Sequence, residues 1–135
     1  MPQETGWYIE GRVIVARYWG AITLQDIYDS AAIEYEMLEN AGNRTIHVLV
    51  DQIGQTSSPR ELLRIREILR PVLTHPARGW TVAFGNIQDV NRDYINVVIT
   101  KSFKKRYRAF PSRVQALAFL AKADHSLRDM LASNS

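Results

Sequence analysis

"TIHVLVDQIGQTSSPREL", Thr45 to Leu62, decides the fold. It opens with a short, mostly apolar run rich in β-branched residues, meets Asp51, and passes through a polar turn holding Thr56, Ser57 and Ser58. An apolar run this short, bounded by turn residues, fits a central strand covered on both faces. The strand is expected to end at Asp51. Ser58, Pro59 and Glu61 are then spaced as N-cap, first helical residue and capping-box partner. Leu62, Ile65, Ile68, Leu69, Val72 and Leu73 follow at helical spacing and predict the buried side, with Arg60, Arg64, Arg66, Glu67 and Arg70 mostly opposite. His75-Pro76 and Gly79 close the helix.

The same pattern repeats on either side. Upstream, "WYIEG" and "RVIVARYWG" read as two strands, with Gly11 and Arg12 as the tight link of a hairpin. Thr23 and Asp26 in "TLQD" form a capping box that opens a helix whose stripe is Leu24, Ile27, Tyr28, Ala31, Tyr35 and Leu38; Gly42 and Asn43 suit its left-handed stop. Downstream, "WTVAFG" is another buried β-run. "DVNRDYINVVITKSF" is read as a crossover helix, against the competing strand reading that its β-branched content favours. "RYRAF" is the last strand. "PSRVQALAFLAKAD" is an amphipathic helix capped by Ser112, with Gln115 completing the box and Val114, Leu117, Phe119 and Leu120 as its burying side. The order β-β-α-β-α-β-α-β-α predicts an α/β fold: a mixed sheet of about five strands with helices mostly on one side. One domain covers residues 1–123, and residues 124–135 are expected to be a weakly helical or frayed tail.

Composition narrows the function. A chain of 135 residues, 46% hydrophobic and 23% charged, suits one compact domain that needs no disulfide or metal to fold. The absence of cysteine excludes a disulfide framework, thiolate metal sites and cysteine nucleophiles, and fits a reducing compartment. The start "MPQETGWYIEGR" lacks the basic and apolar regions of a secretory signal, and no window approaches 18 apolar residues, so the expectation is a cytoplasmic protein that is not transmembrane. The net charge of +3 hides a split. Residues 1–56 hold eight acids against three bases; residues 57–135 hold six acids against fourteen bases. That asymmetry fits an anionic partner, self-association between unlike faces, or simple solvation of the helices.

"RVIVARYWGAITLQDI", "HVLVD" and "RYRAFPSRVQALAFL" together resemble the STAS-type domain of the sporulation anti-anti-sigma factor SpoIIAA, and more narrowly the uncharacterised SpoIIAA-like (STAS/SEC14-like) bacterial proteins. The resemblance covers about residues 7–122 and rests on hydrophobic patterns and caps. It implies a non-enzymatic regulatory or protein-interaction module. In those domains a serine at the start of the helix after the aspartate-ended strand is phosphorylated by a partner kinase. Ser57 and Ser58 stand about there, with Thr56 where the motif has aspartate and Pro59 where it has glycine. A phosphate on either serine would sit near a helix N-terminus, within reach of Arg60 and Arg64; the alternative is that Ser58 is simply a cap. Asp51 and Thr56 complete the implied partner-binding loop. The likeness of those relatives to lipid-transfer domains implies a second class, a carrier or sensor of a small apolar or amphipathic ligand. Trp7, Trp19, Trp80, Tyr28, Tyr35 and Tyr94 are its candidate lining, unless they are core aromatics.

Other chemistry is thinly represented. His47, His75 and His125 have no second ligand at metal spacing, so no metal or cofactor is expected. Ser58, His47 and Asp51 could be assembled on paper into a triad, but no strained Gly-x-Ser-x-Gly elbow is present. Lys101, Lys104, Lys105, Arg106 and Arg108 make a basic run with two aromatics, read as a solvated helix end or as a patch for anionic membrane or nucleic acid. The opening hairpin leaves an unpaired sheet edge through which a homodimer could form.

Overall fold

A computed structural model describes residues 2–85 and 106–134. Its strands are β1 (Gln3–Ile9), β2 (Val13–Ala21), β3 (Ile46–Ser57), β4 (Arg78–Gly85) and β5 (Tyr107–Phe110). Its helices are α1 (Leu24–Glu39), α2 (Leu62–Leu73), α3 (Arg113–Ala123) and α4 (Arg128–Asn134), with a 3-10 turn at His125–Leu127 between the last two. The helix expected over 89–103, and with it Tyr94, Lys101, Lys104 and Lys105, lies outside the described residues.

The five strands form one mixed sheet in the order β1-β2-β3-β4-β5. β1 and β2 are the expected antiparallel hairpin, Gln3 facing Tyr18 and Ile9 facing Val13. The other pairings are parallel. Gly11 turns the hairpin at φ 74°, where a side chain would be strained. β3 sits in the centre, and Val48 and Leu49 are fully buried on opposite faces, as a strand covered on both sides requires.

The described helices are shared between the two faces rather than placed mostly on one. Val48 and Ile14 meet Ala31 and Leu38 of α1 and Val72 and Leu73 of α2. Leu49, Val82 and Phe84 meet Ala116, Leu117 and Leu120 of α3, then Leu127 and Leu131. Both faces of β3 and β4 are apolar, so each needs a cover, and the C-terminal helices supply the second. Leu127 and Leu131 thus pack on the core, and the tail expected to be weakly helical or frayed holds the 3-10 turn and α4. Two aromatic contacts extend this core. Trp80 meets Phe119 edge-on at 4.8 Å between ring centres, and Phe110 lies 5.5 Å from Phe119.

Helix starts follow local signals unevenly. Thr23 and Asp26 make the full capping box on α1, and the Ser112 hydroxyl accepts from the Gln115 amide at the start of α3. Ser58 does not cap α2. β3 continues six residues past Asp51, pairing with the end of β2 through Gly20–Gln55 and Ala21–Ser57. The helix starts only at Leu62, with Glu61 as an N-cap that makes no side-chain cap bond. β2 runs on to Ala21 and offers backbone partners, which outweigh the local helix signal at Ser58.

The buried stripe of α1 is also displaced from the expected one. Ser30, Ala31, Glu34 and Leu38 are buried, while Tyr28 and Tyr35 are exposed. On α3, Val114 is exposed and Ala116, Leu117 and Leu120 carry the burial.

Candidate functional site

A polar seam lies under α1, between that helix and the sheet. Thr5 on β1 donates to Gln3 at 3.0 Å and its hydroxyl is 2.7 Å from that of Ser30 on α1. Ser30 bonds the Tyr18 hydroxyl on β2. Farther along α1, Glu34 Oε1 accepts from Arg78 Nη1 at 3.0 Å. The two side chains are 6% and 5% exposed. Arg78 also donates through Nε and Nη2 to the Thr81 hydroxyl, at 3.1 and 2.8 Å. Burial raises the Glu34 carboxyl above its ordinary value, and the Arg78 guanidinium opposes that rise. Burial, and then the Glu34 carboxylate, push the Tyr18 hydroxyl up as well.

This seam floors a cavity of about 100 Å³ between the sheet, α1 and α2. Ile22, Ile27, Leu69 and Leu73 supply apolar walls. Gln52, Gln55 and Ser58 from β3 and the link after it also line it. Gln55 Nε2 donates to the Ser58 hydroxyl at 2.5 Å and to the Ser57 carbonyl at 3.2 Å. The segment expected to be a partner-binding loop thus borders the cavity. The volume is well under the roughly 300–1,000 Å³ of a drug-sized ligand site. The aromatics Trp7, Trp19, Trp80, Tyr28 and Tyr35 are not among its described walls; Tyr18 and Tyr107 are.

Of the described candidate residues only Ser58 lines the cavity; the others lie elsewhere. Asp51 lies inside β3, not at its end; its Oδ1 accepts from the Ile53 amide at 3.1 Å, and Oδ2 is 3.9 Å from Arg17 Nε. Thr56, Ser57, Arg60 and Arg64 are exposed, and Ser58 is half-buried. Ile53 and Leu63, on either side of the serines, are 62% and 75% exposed. Arg106 and Arg108 are exposed on β5 and just before it, and the Arg108 guanidinium stands 5.7 Å from the centre of the Phe119 ring.

His47 and His75 do not take part. Nδ1 of His47 accepts from the Trp80 amide at 2.9 Å, which makes Nε2 the protonated nitrogen, 3.0 Å from Asp124 Oδ2. Gly79 permits this, because a Cβ there would lie 2.5 Å from Nδ1. His75 is held likewise: Nδ1 accepts from the Ala77 amide at 3.0 Å and Nε2 is 2.8 Å from Glu39. Neither ring keeps a nitrogen for a nucleophile or a metal, and Ser58 and Asp51 are not among the partners of His47. Among the described residues there is no cluster of three or more His, Asp or Glu able to hold a metal ion. No described helix is long and apolar enough to cross a membrane.

The seam joins residues that sequence reading kept apart. Glu34 looks like one more solvated acid of α1, and Arg78 like a loop residue. Only the buried phase of α1 brings them together, and the one signal was that Glu34 sits three residues from Ala31 and four from Leu38.

No protein-family model matches the chain, and no curated protein does. An uncharacterised protein of the DUF3478 family with a SpoIIAA-like fold, from Shewanella loihica PV-4, matches in structure with a TM-score of 0.61. The match covers 87% of this chain and 91% of that one, at 13% sequence identity. At that identity the likeness is one of fold: the chain has a SpoIIAA-like fold, as the resemblance of its sequence implied.

Proposed function

We propose that the protein is a non-enzymatic, cytoplasmic docking module of the STAS type. Its working surface is the segment Asp51–Ser58 together with the outer face of α2. The observation that carries this is the exposure of Ile53 and Leu63, two large apolar side chains left in water on either side of the serines. Leu63 is flanked in the chain by exposed Arg60 and Arg64. An apolar anchor beside guanidinium groups suits a partner that presents an apolar residue next to acids. Phosphate on Ser57 or Ser58 would add negative charge before α2, near both arginines, and so would weaken such a partner's hold. The basic run 101–108 and a homodimer through the β1 edge are further proposals that this surface neither needs nor excludes.

Native mass spectrometry of the protein from its own cells, followed by peptide mapping, tests this. The expected result is a complex that Leu63→Asp releases and Val114→Asp keeps. A complex indifferent to Leu63, or a bare chain throughout, overturns the reading.

A second reading, a carrier or sensor of a small amphipathic ligand, is supported by one specific observation, the polar-floored cavity under α1 and α2.

A further inference from the structure

The cavity has a chemistry of its own, and its walls restrict what can enter. Among its described walls the one cation, Arg78, already faces a carboxylate, and all three of its nitrogens are engaged by Glu34 and Thr81. The floor is therefore electrically balanced. An ionised ligand would arrive as a third charge in a site with no counter-charge left for it, and desolvating an unpaired charge is far costlier than desolvating a neutral polar group. Among the described lining residues, Thr81 and Gln52 keep polar atoms for an occupant. Thr81, 5% exposed, accepts twice from Arg78, and its own O–H meets no acceptor among the described residues. The Gln52 carboxamide lines the cavity and has no hydrogen-bond partner there either. A carboxamide offers a donor and an acceptor side by side, the complement of another amide or of an alcohol. Ile22, Ile27, Val50, Ile65, Leu69 and Leu73 form the aliphatic part of the described wall, and Tyr18 and Tyr107 add two rings. A volume of about 100 Å³ equals the share of about three waters, room for a body of about four to six heavy atoms.

From these features we infer that the cavity binds a small neutral amphipathic molecule, with a short aliphatic body against Ile27 and Leu69 and a single hydroxyl or amide head on Gln52 and Thr81. This rests on the carrier reading and names its ligand class. A full-length acyl chain is too large, and its carboxylate brings the wrong charge. The head would lie beside Gln55 and Ser58, so occupancy acts on the segment assigned to docking.

Amide chemical-shift titration of the whole ¹⁵N-labelled chain tests it with three probes of one length: butanamide, n-butanol and butyrate. The expected result is saturable shifts at Gln52, Thr81 and Gln55 with butanamide and n-butanol, and binding at least about tenfold weaker for butyrate, a difference of about 1.4 kcal/mol. Leu69→Trp, which fills the space, should abolish the shifts while leaving the spectrum of a folded protein. The wild-type titration localises the site by itself if that variant does not fold. Butyrate binding as well as butanamide overturns the neutral-ligand inference and leaves the carrier reading standing. No saturable binding by any probe, or shifts only at distant surfaces, overturns both.

Discussion

His47 and Asp124, separated by 77 positions, are joined by a hydrogen bond of 3.0 Å between Nε2 and Oδ2 at the edge of the core. The same carboxylate takes the Ser126 amide at 3.1 Å and hydroxyl at 2.6 Å on its other oxygen. Arg12 reaches Oδ2 at 3.4 Å. One aspartate thus ties the starts of β2 and β3 to the turn that leads into α4. Asp124→Ala strands the buried Nε2–H of His47, and a stranded buried donor costs about 1–3 kcal/mol. Urea unfolding should show that loss, and hydrogen exchange should show Leu127–Leu131 opening before the sheet. Unchanged exchange there would mean that Leu127 and Leu131 are held by burial alone.

The clasp also fixes an acid response. The Ser126 and His47 bonds lower the Asp124 carboxyl from 3.8 to about 2. A carboxyl depressed by folding adds stability that is present above its unfolded value and disappears as pH falls through its folded one. Stability should therefore decline between pH 3.8 and about 2 partly through Asp124. Asp124→Asn should flatten that part of the curve, as read by chemical denaturation at a series of pH values. Glu34 acts with the opposite sign. Its folded value is raised by burial, so its contribution weakens as pH rises from 4.5 toward that value.

The Glu34–Arg78 pair should be costly to halve. Arg78→Met leaves a buried carboxylate without its cation, for which about 3–5 kcal/mol is typical. The double variant Glu34→Leu with Arg78→Met should recover most of that loss, because two apolar side chains need no counter-charge. Thermal melts of the single and double variants decide it. Additive losses would show that the two residues do not act as a pair.

Capping gives a sharper contrast. Thr23→Ala removes a complete capping box and should cost about 1 kcal/mol. Ser58→Ala should leave the first turn of α2 unchanged, because α2 starts at Leu62. Amide exchange at Leu62–Arg66 reads this directly, and loss of protection there in Ser58→Ala would restore Ser58 as the cap.

Glycine at position 79 is set by its neighbour. A Cβ there would lie 2.5 Å from His47 Nδ1 and 2.8 Å from Thr45 Cγ2. Gly79→Ala should destabilise by about 1–3 kcal/mol, the usual range for overpacking. Combined with His47→Ala it should cost less than the two changes separately, since the ring it strikes is gone.

Whatever was carried by neighbours in the chain was legible in the sequence. Thr23 with Asp26, Ser112 with Gln115, the Gly11 hairpin and the apolar run before Asp51 are local signals, and the fold class follows from their order. What depended on distant partners was not. Ser58 has every local mark of a cap, yet β2 holds the backbone of Ser57 in the sheet. Tyr28 and Tyr35 share the phase of Ala31 and Leu38, but Ser30 and Glu34 turn inward because Tyr18 and Arg78 await them. His47 looks like any strand residue until the fold brings Asp124 to it. The cavity was not legible, since much of its floor comes from α1 and β4.

The proposed docking surface centres on Leu63. The most direct measurement places a photo-crosslinking amino acid at position 63, at position 53 and, as a control, at exposed position 114, in cells that make the protein. The expected result is one adduct of the same mass from positions 63 and 53, absent from 114 and reduced by Arg60→Glu with Arg64→Glu. Adducts that are the same from all three positions, or none from 63, would contradict it.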